Sequence, residues 1–282
     1  MEHKQRIQKR KLSAGQIITF VLLTIGAFSM ILPFFWMVST SIKTTGETLA
    51  IPPVWLPENW QWSNYETALT MAPFDQYFIN SVIITLSSTI GEVITSILAA
   101  FAFSKLQFFG KNILFTILIS TMMVPFELLM IPNYLTLSKM GMINSYWAMI
   151  IPFLASVFSV FLLKQNFEAV PKQLYYAAKV DGASDWRFLW QILVPMSKSS
   201  IVTVVILKMI GSWNSFMWPL MVTNETHLRP LPVGLQAFTT EAGTYFELLM
   251  AAATIVVLPM IIIYLFLQKY IIKGISNTGV KG

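Results

Sequence analysis

The 282-residue sequence contains no cysteine and only two histidines, His3 and His227, far apart along the chain. The missing cysteine excludes disulfides, thiol nucleophiles and cysteine-held metals. Two distant histidines leave no basis for a histidine metal site or a Ser-His-Asp triad. Charge is also scarce: Asp, Glu, Lys and Arg make up 11% of the chain, against about 25% in an ordinary soluble domain. No G-x-x-x-x-G-K-[ST] run occurs, so the chain has no P-loop to cradle ATP. The acidic residues form no metal-ligand cluster, and no repeat with a period of about 20–50 residues is visible. No enzyme constellation remains, so the reading is of a chain that is not an enzyme.

What the chain has in quantity is apolar residue, 55% of the total. Crossing a bilayer core takes about 20 residues of helix. Six runs are long enough: Ile17–Val38, Phe78–Phe103, Ile113–Ile131, Tyr146–Leu163, Ser199–Val222 and Leu248–Ile272. A cleaved signal peptide would have an apolar core of about 7–15 residues and a small-residue cleavage site. The first run is longer and lacks that site. The fold class is therefore an all-α integral membrane protein with six transmembrane helices. Residues 1–16 form a basic tail, 17–272 the transmembrane domain and 273–282 a short C-terminal tail.

Net charge is +6, but the positive residues are sorted by membrane side, which points away from nucleic acid. Six spans put both termini on one face. With those termini inside, the inner segments hold fifteen of the nineteen Lys and Arg. The outer segments hold Lys43, Lys139 and Arg229, and Lys208 lies within span five. The positive-inside rule then sets both termini, and segment 168–195, in the cytoplasm.

Segment 168–195 reads EAVPKQLYYAAKVDGASDWRFLWQILVP. Pro171 stands where a first helical residue belongs and Gly182 where a C-terminal cap belongs. Leu174, Ala177, Ala178 and Asp181 share a face. Ser184 reads as the N-cap of a second helix with Asp185 in its first turn. The apolar face of that helix is Trp186, Leu189, Trp190 and Leu193, and Pro195 ends it. The pattern is a cytoplasmic two-helix loop between two spans.

AAKVDGAS followed by ILVP resembles the EAA coupling loop of ABC-importer permeases. That resemblance implies docking into an ATPase subunit through Tyr176, Ala177, Ala178, Asp181, Gly182 and Ala183, with Tyr176 standing where the family has Glu. The ATPase partner would use ATP and Mg, and this chain would carry no cofactor of its own. The alternative on residues alone is an ordinary amphipathic connector.

Span five carries Lys208, Gly211, Ser212, Trp213, Asn214, Ser215 and Phe216. Polar groups at that depth face protein or water. They line a translocation path or serve helix packing, and the residues alone leave both open. Trp-Asn-x-Phe-x-Trp-Pro-Leu, followed by Leu231-Pro232-Val233-Gly234-Leu235, is similar to the maltose-type branch of carbohydrate-importer permeases. The resemblance implies a sugar path in which Trp213 and Phe216 stack on pyranose faces and Asn214 bonds hydroxyls. It also implies a homologous second permease, an ATPase dimer, an extracytoplasmic sugar-binding protein and an inner-membrane location. Membrane lipid is the remaining contact, and the substrate is carbohydrate. Residues 224–247 would meet the binding protein, and the tail Gly279–Gly282 would reach the ATPase. The bland readings are a solvated loop and a frayed end.

Segment 123–152 reads as broken at Pro125 and Pro132. Glu127 sits at the outer edge of span three, as an outer-mouth contact or a snorkelling surface charge. The first outer loop, about 43–77, reads only as an external segment with aromatic anchors. A secondary transporter with a midplane site at Lys208 and Asn214 and a non-transporting scaffold subunit are the rival functions.

Overall fold

A computed structural model describes residues 13–241 and 243–276. The basic tail through Lys11 and the end Gly279–Gly282 lie outside the described residues. In hydrocarbon a chain must satisfy its own backbone polar groups, and the α-helix does so within one segment. Apart from two strands of two residues, Thr239–Thr240 and Gly243–Thr244, the regular structure described is helical.

Helix α1 spans Ala14–Ser41 and starts with a reciprocal capping box between Ser13 and Gln16. Short helices α2 (Thr45–Thr48) and α3 (Ser63–Met71) precede the 32-residue α4 (Phe74–Lys105). Next come α5 (Lys111–Ser120), α6 (Phe126–Lys139), α7 (Tyr146–Ile150) and α8 (Val157–Ala169). The loop helices are α9 (Lys172–Val180), α10 (Asp185–Phe188) and α11 (Val194–Met196). The chain continues through α12 (Lys198–Trp213), α13 (Met217–Val222), α14 (Leu231–Gly234) and α15 (Phe246–Ser276).

Among the described residues, four helical stretches are long and apolar enough to span: Gly15–Ser41, Phe74–Lys105, Tyr146–Ala169 and Phe246–Phe266. Two bent pairs bring the number to six if each pair is one span. Lys111–Met123 meets Phe126–Lys139 at 99°, and Asp185–Met196 meets Lys198–Trp213 at 80°.

Expected span three is therefore bent, and expected span five, which begins after the second bend, is interrupted. Span three turns at Val124–Pro125, because the residue before a proline is driven out of the helical region; Val124 has ψ 112°. Pro132, read from sequence as a second break, lies inside α6 instead. Span five ends at Trp213, and α13 restarts at Met217. Pro219 lacks an N–H, which goes unmissed only in a first helical turn. The chain accordingly interrupts itself at 214–216 and places Pro219 third in a new helix.

The described chain divides into two compact units. One is the chain up to Ala68 with Thr240–Thr254. Here the segment between α1 and α3 folds around two charges. Lys43 is fully buried, donates to the Val54 carbonyl at 2.6 Å and lies 4.1 Å from the Trp36 ring centroid. Burial pushes its ammonium below the usual lysine range, while Glu47 pulls the other way. Glu47 accepts from the Thr44 and Glu58 N–H groups, both at 2.7 Å, which hold its carboxyl at about 2. Thr45 ties this turn to Glu247 at 2.8 Å.

The other unit is Leu69–Thr239 with the chain from Ile255. Helix α4 is its hub and packs on α8, α12 and α14. One apolar cluster joins Phe101, Leu163, Phe167, Ala178, Phe188 and Leu189. A second joins Ile84, Met130, Met149, Trp218 and Val222, and the Trp218 indole donates to the Ala148 carbonyl at 3.0 Å. The Leu231–Gly234 motif is buried against α4. The Leu231 N–H donates to Ser81 at 2.8 Å, and a Cβ on Gly234 would fall 2.3 Å from a Tyr77 ring carbon. The Gly234→Ala variant is expected to lose about 1–3 kcal/mol through overpacking, read as a lower melting temperature of the detergent-solubilised protein. Gly46→Ala, where nothing lies within 4 Å of the added carbon, should melt like the parent.

Candidate functional site

The loop after α8 folds as a braced hairpin. Gly182 takes φ +76°, a left-handed conformation that glycine adopts at little cost. It lets Ala183 N–H reach the Ala178 carbonyl at 2.8 Å and Gly182 N–H reach Lys179 at 3.1 Å, closing α9. Ser184 caps α10 by accepting from Arg187 N–H at 3.2 Å. Asp185 then locks the two arms together. It accepts from the Tyr175 hydroxyl at 2.5 Å and pairs with Lys179 at 2.8 Å. The Lys179 hydrogen bond, followed by that of Tyr175, holds the Asp185 carboxyl below its usual range. Burial and then Asp185 push the Tyr175 phenol up to about 12.

Three details of this loop differ from the sequence reading. Pro171 is the N-cap of α9 rather than its first residue. Pro195 does not end the second arm, because it sits in the first turn of α11 after a π-helical turn over Leu189–Leu193. That wider turn shifts the helical phase. Phe188, Leu189 and Leu193 face the core while Trp186 stays 63% exposed.

Ala178 is the buried member of the small pair, and Ala177, Asp181 and Gly182 are exposed. Ala183 is half-buried against the core cluster. Tyr176 is 60% and Val180 88% exposed. The hairpin is thus anchored from within by Ala178, Phe188 and Leu189, and presents Tyr176, Ala177, Val180 and Trp186 outward.

A second site lies where α4, α8 and α12 meet. Glu92 of α4 and Lys208 of α12 form an ion pair of 2.8 Å, both side chains nearly fully buried. Ser159 of α8 donates to the other Glu92 oxygen at 2.7 Å. Lys208 also donates to the Phe153 carbonyl at 3.2 Å and lies 5.0 Å from the Phe153 ring centroid. The break at 151–156 is held against α4 by Thr95, which donates to Leu154 O at 2.6 Å. Gly91 leaves room for that approach, since a Cβ there would fall 2.3 Å from Leu154 Cδ2. A cavity of about 320 Å³ opens beside the pair, lined among others by Phe153, Ser159, Gly211, Ser212 and Ser215.

The sequence-predicted path residues do not gather in this cavity. Trp213 is buried, donates to the Val256 carbonyl at 3.0 Å and meets Phe78 edge-on at 5.9 Å. Asn214 and Phe216 are exposed at the break between α12 and α13. Glu127 is exposed in the first turn of α6, where the helix dipole favours a carboxylate. Sequence reasoning picked out Lys208 but missed Glu92. The signal was present: Ser81, Thr85, Ser88, Glu92 and Ser96 recur at helical spacing, and all are buried on α4.

A polytopic helical membrane protein with an outward-facing, internally braced hairpin is the class these features define. The chain belongs to the family of binding-protein-dependent transport system inner membrane components, matched over residues 92–277. It is 31% identical over 268 residues to the arabinooligosaccharides transport system permease protein AraQ of Halalkalibacterium halodurans, covering 93% of this chain and 96% of that one. It is 29% identical over 264 residues to the diacetylchitobiose uptake system permease protein NgcG of Streptomyces coelicolor, covering 92% and 87%. A bacterial ABC transporter chain involved in importing the acidic polysaccharide alginate superposes with a TM-score of 0.81 at 25% identity, covering 92% of this chain and 98% of that one. This chain is therefore a multi-pass inner-membrane permease component that works with a binding protein, and ATP hydrolysis belongs to a separate subunit.

The Asp185 brace has a definite pH response. Its carboxyl pKa is depressed by folding, so its contribution is fully present above the ordinary aspartate range, about pH 4. It is lost as pH falls through the depressed value. Hydrogen exchange over 179–187 is expected to show protection that holds above that range and declines as pH falls below it. Asp185→Asn should lower that protection about fivefold at pH 7, by roughly 1 kcal/mol for a partly exposed charged hydrogen bond.

Proposed function

We propose that this chain is one of two membrane-spanning subunits of an ABC importer for carbohydrate, an oligosaccharide in particular. It pairs with a homologous permease, and a dimer of ATPase subunits docks on the hairpin. A sugar-binding protein delivers substrate on the outer face. ATP and Mg are used by the ATPase partner, and this chain holds no cofactor. Both termini and the hairpin lie in the cytoplasm, in keeping with fifteen inner against three outer basic residues.

The observation that carries this reading is the hairpin. Its anchor and its outward face are separate sets of residues, so a push on Tyr176, Ala177, Asp181 or Gly182 is transmitted through Ala178, Phe188 and Leu189 to the core of α4, α8 and α12. A conformational change driven by ATP needs such differential contact with the two ATPase states. Oligosaccharide as the substrate is supported by relatives whose names carry arabinooligosaccharides and diacetylchitobiose. Asn214 and Phe216, exposed where span five breaks, are candidates for the passage wall, with Trp213 fixing the helix behind them. Glu127 is a candidate for the outer mouth.

Gly182 supplies the test. A Cβ there meets nothing within 4 Å, so a leucine costs the chain only left-handed backbone strain, about 1–2 kcal/mol, and stands on the outward face. Gly182→Leu is expected to reach the membrane with its second permease, lose the co-purifying ATPase and abolish sugar uptake. Gly182→Asn, which tolerates the left-handed region, should retain both. Normal uptake by the leucine variant refutes docking at this turn.

A further inference from the structure

The Glu92–Lys208 pair is more than a closed contact between helices. Its bonding capacity is not exhausted. A lysine ammonium donates three hydrogen bonds and each carboxylate oxygen accepts about two. Lys208 uses two donors, on Glu92 and on the Phe153 carbonyl. Glu92 accepts once at each oxygen, from Ser159 and from Lys208. One strong donor and two strong acceptors remain beside a cavity of about 320 Å³, within the size range of ligand pockets, roughly 300–1,000 Å³. The rest of the wall carries three further hydroxyls (Ser156, Ser212, Ser215) among the rings of Phe153 and Phe158 and the aliphatic side chains of Ile84, Met149, Leu207 and Pro219. Among the lining residues, Glu92 and Lys208 are the only charged ones, and they cancel.

A hydroxyl both donates and accepts, and adjacent hydroxyls on a sugar ring match a paired cation and carboxylate. A carboxylate or phosphate group would find its cation already neutralised and would face Glu92 across the cavity, which is unfavourable at low dielectric. We infer that the Glu92–Lys208–Ser159 cavity is a substrate subsite for the vicinal hydroxyls of uncharged sugar units, and that its neutral ion pair selects against acidic ones. This rests on the importer reading above. It separates this chain's cargo from the acidic polysaccharide handled by the transporter that shares its fold.

The test uses the assembled importer, this chain with its second permease and ATPase, in lipid nanodiscs without binding protein. Saturation-transfer NMR reports direct contact of the neutral probe xylotriose and the acidic probe trigalacturonate. The parent complex should transfer saturation to xylotriose and little to trigalacturonate. Glu92→Gln/Lys208→Gln keeps the cavity neutral but removes both charges, and should weaken the xylotriose signal roughly tenfold. Glu92→Gln alone leaves an unbalanced cation and should bring up the trigalacturonate signal. Ser159→Ala, which keeps both charges, should weaken xylotriose about threefold and covers the case in which the double variant fails to assemble. Equal xylotriose transfer in the parent, the double variant and Ser159→Ala overturns the subsite, as does stronger transfer to trigalacturonate than to xylotriose in the parent. If no ATPase assembles with the parent chain, the importer reading has failed instead, and the same probes on the purified permease still decide the subsite.

Discussion

A charge at membrane depth must find its opposite inside the protein, because lipid offers neither water nor counterion. The organisation of the larger unit follows from that constraint. Glu92 and Lys208 lie more than a hundred residues apart in sequence, and the packing of α4 against α12 brings them to 2.8 Å. Ser159 brings α8 to the same point. The pair therefore specifies which three helices meet, and at what register, more than it adds stability. A buried pair is often no better than apolar packing of the same volume, while removing one partner leaves an uncompensated charge. Gly91 and the broken stretch 151–156 pack at this junction, Leu154 against Gly91 and the Phe153 carbonyl against Lys208.

The same helices carry the loop hairpin at another level of the bundle. Phe101 of α4, Leu163 and Phe167 of α8, and Val204 of α12 form the floor on which Ala178, Phe188 and Leu189 sit. The charge junction and the hairpin floor are thus built from the same three helices. Any rearrangement that slides α12 along α4 must disturb both, which ties the position of the hairpin to the shape of the cavity.

Much of this was readable in the sequence, for physical reasons. Apolar runs report spans because hydrocarbon admits little else. Gly182 and Ser184 reported the turn and the cap because few other residues serve there. What stayed hidden depended on partners distant in sequence or on local backbone breaks. Glu92 looked like one polar residue in a long apolar run, although Ser81, Thr85, Ser88 and Ser96 marked its face. The bend at Pro125 was legible, but the break at Asn214 came from a proline whose effect depends on its place in a helical turn. Pro132 was absorbed within α6, whereas Pro125 redirected the chain. Trp186 and Phe188 exchanged roles because a π-helical turn follows them, and no composition rule announces that turn. The folded segment around Lys43 and Glu47 was likewise invisible, since it rests on backbone groups that the sequence does not distinguish.

The brace between Tyr175, Lys179 and Asp185 makes the hairpin rigid in itself, independent of what lies against it. Its contact surface can therefore change without disturbing its fold. Tyr176 is mostly exposed, and the hydrogen bonds of the brace do not include it. Such a residue is open to exchange while the hydrogen bonds that hold the hairpin stay in place. A hairpin of this construction can be resurfaced over generations, one outward side chain at a time, while the membrane core stays fixed.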